Sequence, residues 1–156
     1  MAVCPACGSD DDNFERTGTS VNVTKEQAQQ WLGELFAPWV QALGLRVEAI
    51  GGGEATLLLP FDASLAREGG TLCGQALMAA ADTSMVLAIA SSLGGFRPMT
   101  TVSLNSSFMR PVAGGGVRLV ARVLKPGRTL MFGEIEMLGA ADGKLVAHAT
   151  TTYALV

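Results

Sequence analysis

The stretch "GGTLCGQALMAAAD", residues 69–82, places a cysteine and a glycine, Cys73 and Gly74, at the start of an apolar run that contains one carboxylate, Asp82. A carboxylate can activate water or attack an activated carbonyl. The first N–H groups of a helix lack intrahelical acceptors and carry about half a unit of positive charge, which suits a polarised carbonyl oxygen. Glycine at 74 lets a carbonyl approach that backbone without a Cβ in the way. Asp82 follows eight residues later, ~12 Å along a helix axis. One carbonyl cannot meet both groups of the same helix, so the spacing points to a site shared by two chains. The structural alternative is a buried Asp82 hydrogen-bonded to a Thr or Ser of a neighbouring strand, because an unpaired buried charge costs several kcal/mol.

Other reactive side chains are few. Cys73 has three readings: a nucleophile acidified by the helix start, a small spacer lining the site, or an inert core thiol. The only histidine, His148, lies on a distant strand between Ala147 and Ala149 and reads as a solvated or hydrogen-bonded face residue. Cys4-Pro-Ala-Cys7 has the spacing of a metal knuckle or redox pair. A zinc site needs about four ligands, and no second pair or nearby histidine accompanies it, so the motif reads as part of an unstructured tail. The triple glycine at 51–53 is a turn and not a phosphate cradle, since no helix follows it.

The bulk properties narrow the classes. A chain of 156 residues is one domain with one core. Hydrophobic residues make up 49% and charged residues 16%, a balance that predicts burial beyond a monomer core, hence an oligomer. A net charge of -3 lacks the basic footprint that nucleic-acid binding requires. No uninterrupted apolar run reaches the roughly 18 residues of a membrane span; Ala76 to Leu93 comes nearest but contains Asp82 and several Ser and Thr. Three cysteines do not form a disulfide framework. The polar, acidic N-terminus does not resemble a signal peptide, and a cytoplasmic protein is expected.

The elements that must hold Asp82 and Gly74 follow from periodicity. Residues 1 to 22 read as a disordered acidic tail and 23 to 156 as a single domain. Thr24 and Gln27 form a capping box. Trp31, Leu32, Leu35, Phe36, Trp39, Val40 and Leu43 then recur at helical spacing as one apolar face, with Pro38 as a kink or restart and Gly44 as a stop. "LRVEAI" and "EATLLLPF" form a hairpin, with Leu45, Val47 and Ala49 on one side. Residues 61 to 70 form a loop. A long helix runs from about Cys73 to Ser92 and is apolar nearly all round, so it should be buried on most faces; Gly94 and Gly95 end it. Four strands close the chain. In the first, Thr101, Ser103, Asn105 and Ser107 alternate against Val102, Leu104, Ser106 and Phe108. The class is α+β, with one long helix against an antiparallel sheet.

This order, with four of its motifs, resembles the hotdog fold, a long central helix wrapped by an antiparallel β-sheet, and within it the PaaI-like acyl-CoA thioesterases. The motifs are "GGTLCGQALMAAADTSM", "TTVSLNSSFMRPV", "LKPGRTLMFGEIEM" and "DGKLVAHATTTY". The resemblance implies a catalytic carboxylate at Asp82 and a carbonyl-polarising N–H at Gly74. It puts Thr101 and Ser103 on a strand that the partner subunit presents to that carboxylate. It also implies contacts to the CoA nucleotide and phosphates from Arg110, Lys125 and Arg128. Two positions depart from the family pattern. Cys73, before Gly74 and Gln75, stands where the family has His, and Arg67 stands where an Asn or Gln often approaches the carboxylate.

The resemblance implies hydrolysis of an acyl-CoA to acid and CoA with no cofactor or metal, by a homodimer or homotetramer. An acyl pocket is expected from Leu77, Met78, Met85 and Phe108. The alternative is a non-catalytic hotdog acyl-CoA binder or ligand sensor, in which Asp82 is structural. A hydratase would want a histidine near the helix, and none is there.

Overall fold

The computed structural model describes residues 22–156. The Cys4–Cys7 pair and all but the last residue of the expected tail lie outside the described residues. Thr24 caps the first helix, α1 (Lys25–Glu34), by accepting from the backbone N–H of Gln27 at 3.2 Å. Of the kink and the restart expected at Pro38, the structure shows the restart. The proline ends the helical path and opens a second, short helix, α2 (Pro38–Gln41), at a position where its missing N–H costs nothing. The break turns the expected apolar face apart: Leu32 and Leu43 are buried, whereas Leu35 is 45% and Trp39 64% exposed.

The strands are β1 (Arg46–Gly51), β2 (Glu54–Leu59), β3 (Ala66–Arg67), β4 (Thr71–Leu72), β5 (Met99–Phe108), β6 (Val117–Pro126), β7 (Leu130–Gly139) and β8 (Leu145–Leu155). β3 and β4 make a two-residue hairpin inside the stretch expected to be loop. The other six form one antiparallel sheet in the order β1-β2-β6-β7-β8-β5. β1 is flanked by α1. β5 closes the opposite edge, and among the described residues no strand pairs its outer side.

Helix α3 (Gly74–Leu93) lies across one face of this sheet, with Cys73 as N-cap and Gly94, at φ 73°, ending it in the left-handed region. Its length and apolarity would suffice for a membrane span, contrary to the expectation from the interrupted run. However, 61% of that window is buried inside the fold, as in a core helix. The helix approaches the sheet closely at Gly133, where a Cβ would stand 2.6 Å from Met85 Sδ and 2.8 Å from the carbonyl oxygen of Arg122. Met85 is therefore core packing over a glycine and does not line an acyl pocket.

Four strands break their alternation, β8 at Val146 opposite Met137 and Leu138 of β7. The register also shifts at Glu48 in β1, Val102 in β5 and Leu124 in β6. Each extra residue reverses the phase that follows it. In β1 this puts Ala49, expected with Leu45 and Val47, on the exposed side and turns Ile50 inward against Ala55. In β5 it brings Thr101 onto the same face as Leu104, Ser106 and Phe108, because these residues pair with the buried Tyr153, Thr151, Ala149 and Ala147. Ser103, Asn105 and Ser107 lie on the outer face. That face also carries the ion pairs Arg118–Glu48 at 2.6 Å and Arg122–Glu136 at 2.6 Å.

Candidate active site

Gly74, Met78 and Asp82 recur every four residues and so share one side of α3. That side faces the inner surface of β5. At one end, the Asp82 carboxylate meets the cross-strand pair Thr101 and Tyr153. Thr101 Oγ1 donates to Asp82 Oδ1 at 2.9 Å. The Tyr153 hydroxyl lies against the same Oδ1 and is also 2.9 Å from the main-chain oxygen of Asp82. Asp82 is thus hydrogen-bonded, as the structural alternative required, and it remains partly exposed at the open edge of the sheet. The expectation that Thr101 reaches the carboxylate from a partner subunit is corrected: this contact forms within one chain, because the bulge at Val102 turns Thr101 inward. Ser103, past the bulge, faces away from Asp82.

Tyr153 was not among the residues expected at the site. It is 1% exposed. Burial, and then the charge of Asp82, push its phenol well above the usual tyrosine range, so the hydroxyl stays a donor. A signal for it exists in the sequence. It is the only tyrosine, in phase with Ala147 and Ala149 on the closing strand. A buried phenol needs a polar partner.

At the other end, α3 begins at Gly74. A Cβ there would stand 3.2 Å from Phe108 Cζ, so glycine is what lets the ring sit against the helix start. Beside it lies a cleft of about 390 Å³ lined by Arg67, Gly74, Leu77, Phe108, Arg110 and Val112. Arg110 is anchored by its backbone N–H to the Val146 carbonyl at 3.1 Å. Two of the expected binding cations, Arg67 and Arg110, therefore meet at the helix start. Lys125 and Arg128 do not join them. They lie at the β6–β7 turn, where Pro126 pairs with Met131 and Met131 with Tyr153, the Asp82 end of the sheet. Gln75 is exposed and lies outside the cleft. Met78 sits between the two ends at 36% exposure.

Cys73 makes no side-chain cap bond. His148 bonds Glu134 Oε2 through Nε2 at 3.1 Å on the outer face of the sheet, as expected of a hydrogen-bonded face residue. The thiol and the imidazole thus lie on opposite sides of the sheet, which removes the base that a Cys73 nucleophile would want. Among the described residues, no three His, Cys, Asp or Glu side chains come together as a metal site.

A profile of the thioesterase superfamily matches residues 69–153, which span both ends of this arrangement. A protein of Thermoplasma volcanium with a provisional esterase name is 31% identical over 117 residues, covering 75% of this chain and 86% of the relative. A conserved protein from Pseudomonas aeruginosa superimposes with a TM-score of 0.73 at 36% identity, covering 80% of this chain and 98% of its own. Zebrafish thioesterase superfamily member 2 does so with a TM-score of 0.78 at 26% identity, covering 86% of this chain and all of its own (100%). The PaaI protein of the E. coli phenylacetic acid degradation operon, 21% identical with a TM-score of 0.72 over 85% of this chain and 95% of its own, shares the fold. With a family match over more than half of its length, the chain belongs to the thioesterase superfamily and has the hotdog fold.

Proposed function

We infer that the protein is an acyl-CoA thioesterase whose reacting carboxylate is Asp82. The observation that carries this is the state of that carboxylate: one oxygen is held by Thr101 and Tyr153, while Oδ2 has no hydrogen-bond partner among the described residues. Asp82 acts as general base on water or as nucleophile on the thioester carbonyl. In the first case water attacks the carbonyl carbon and one of its protons passes to Oδ2; the C–S bond then breaks, and the departing thiolate takes that proton, giving acid, CoA thiol and the regenerated carboxylate. The backbone N–H of Gly74 takes the negative charge that develops on the carbonyl oxygen.

The two groups belong to different subunits. They are separated by eight residues of one helix, ~12 Å. The ten-residue edge strand β5 is left open beside them, and a long open edge favours pairing with another chain. Antiparallel pairing of two copies along β5 would set the Asp82 end of one beside the Gly74 end of the other. It would also bring Arg67 and Arg110 of one copy toward Lys125 and Arg128 of the other, a divided cation set suited to the phosphates of CoA.

The test is thiol release from acetyl-, hexanoyl-, palmitoyl- and phenylacetyl-CoA by wild type and Asp82→Asn. Turnover that disappears in the variant supports the reading, and full activity in the variant overturns it. Absence of turnover of every thioester by wild type would instead favour the non-catalytic binder.

A further inference from the structure

We propose that Tyr153 is a positioning residue that commits one oxygen of Asp82 to the scaffold and leaves the other to react. The inference rests on the reading of Asp82 as the reacting carboxylate and goes beyond it by assigning different tasks to its two oxygens. A carboxylate oxygen offers two lone pairs. Those of Oδ1 are matched by two donors, Thr101 Oγ1 at 2.9 Å and the Tyr153 hydroxyl. The same hydroxyl lies 2.9 Å from the main-chain oxygen of Asp82. Its single proton is thus shared between the side chain and the backbone of one residue, which ties the carboxylate to the helix that carries it.

The two donors are not equivalent. Thr101 belongs to an edge strand and is exposed, so water can compete for its acceptor. Tyr153 rises from β8, which is paired on both sides, and is 1% exposed. Its hydroxyl approaches the carboxylate from the buried side and is less open to competing water. The terminal torsion of an aspartate is otherwise broad and nearly two-fold, so without the phenol the two oxygens would exchange places. Phenylalanine would fill the same volume. The hydroxyl therefore has no packing role that a bare ring would not fulfil.

The experiment is Tyr153→Phe, assayed with the best substrate of the acyl-CoA panel. The loss of one hydrogen bond to a charged group predicts a fall in kcat of roughly 10- to 100-fold, with KM unchanged within about twofold, as for an interaction used in the transition state. In the Asp82→Asn background the same substitution should add nothing, because the two residues act as one unit. Unchanged kcat in a folded Tyr153→Phe protein, with Asp82→Asn inactive, overturns this inference and leaves the proposed function standing. Full activity of Asp82→Asn, or no turnover of any thioester by wild type, removes both. Should the variant fail to fold, the single tyrosine allows a direct measurement. Uniform labelling with 3-fluorotyrosine places one fluorine probe at position 153. Its resonance must move when Asp82 becomes Asn, and an unmoved resonance overturns the contact.

Discussion

The two ends of α3 are built differently. At Asp82 the helix meets a cross-strand pair, Thr101 and Tyr153, and the carboxylate is held from beneath by a fully buried phenol. At Gly74 it begins beside loops and a two-residue hairpin, next to a cleft with two arginines and an exposed phenylalanine. One end is backed by regular sheet, the other by connections and a two-residue hairpin. On the function proposed above, each end of one chain supplies half of a site: Asp82 the base, Gly74 the carbonyl clamp.

The largest break in this contrast is Asp82→Asn. A positioned base or nucleophile contributes on the order of 100- to 10,000-fold, so kcat should fall by about 1000-fold while the melting temperature holds. Mixing subunits sharpens the same point. Asp82→Asn and Gly74→Ala chains, unfolded and refolded together, should recover activity above the sum of the separate preparations, because mixed dimers restore one intact site. No recovery would place both halves in one chain.

A break in the packing between the two ends comes next. Gly133→Ala puts a Cβ against Met85 and the Arg122 carbonyl, and overpacking of this kind costs about 1–3 kcal/mol. Thermal unfolding should report the loss, with activity falling only as the folded fraction falls. At the open end, Arg110→Ala should raise KM for acyl-CoA by roughly 3- to 10-fold with little change in kcat. The penalty should shrink as salt is added, because exposed charges are screened within about 10 Å at 0.1 M. The smallest effect belongs to Cys73. Its side chain makes no cap bond, so Cys73→Ser should stabilise by about 0.5–1 kcal/mol through a new N-cap and leave kcat within about twofold. Loss of activity there as large as that of Asp82→Asn would make the thiol a chemical group.

How much of this could be read in advance depends on the range of the interaction. The Thr24 cap, the long helix, its Gly94 stop and the β6–β7 and β7–β8 turns follow from residues a few positions apart. Asp82 and Gly74 were legible for the same reason, as two marks on one helix. The face assignments failed at the bulges. Alternation predicts Thr101 and Ser103 on one side, and a single extra residue at Val102 separates them. The apolar stripe from Trp31 to Leu43 failed because Pro38 starts a new helix, so one periodicity does not run through. Arg110, Lys125 and Arg128 looked like one set because each sits near a strand end, but antiparallel strands put those ends at opposite ends of the sheet.

The sequence by itself determined the order of the main elements, the burial of α3 and the ~12 Å between Gly74 and Asp82, because helix periodicity and turn chemistry are local. Only the tertiary structure decided which oxygen of Asp82 is held, and by what. Tyr153 stands 71 residues away along the chain. It reaches the carboxylate because β8 lies beside β5, because the bulge at Val102 brings Thr101 opposite it, and because a buried phenol must find an acceptor.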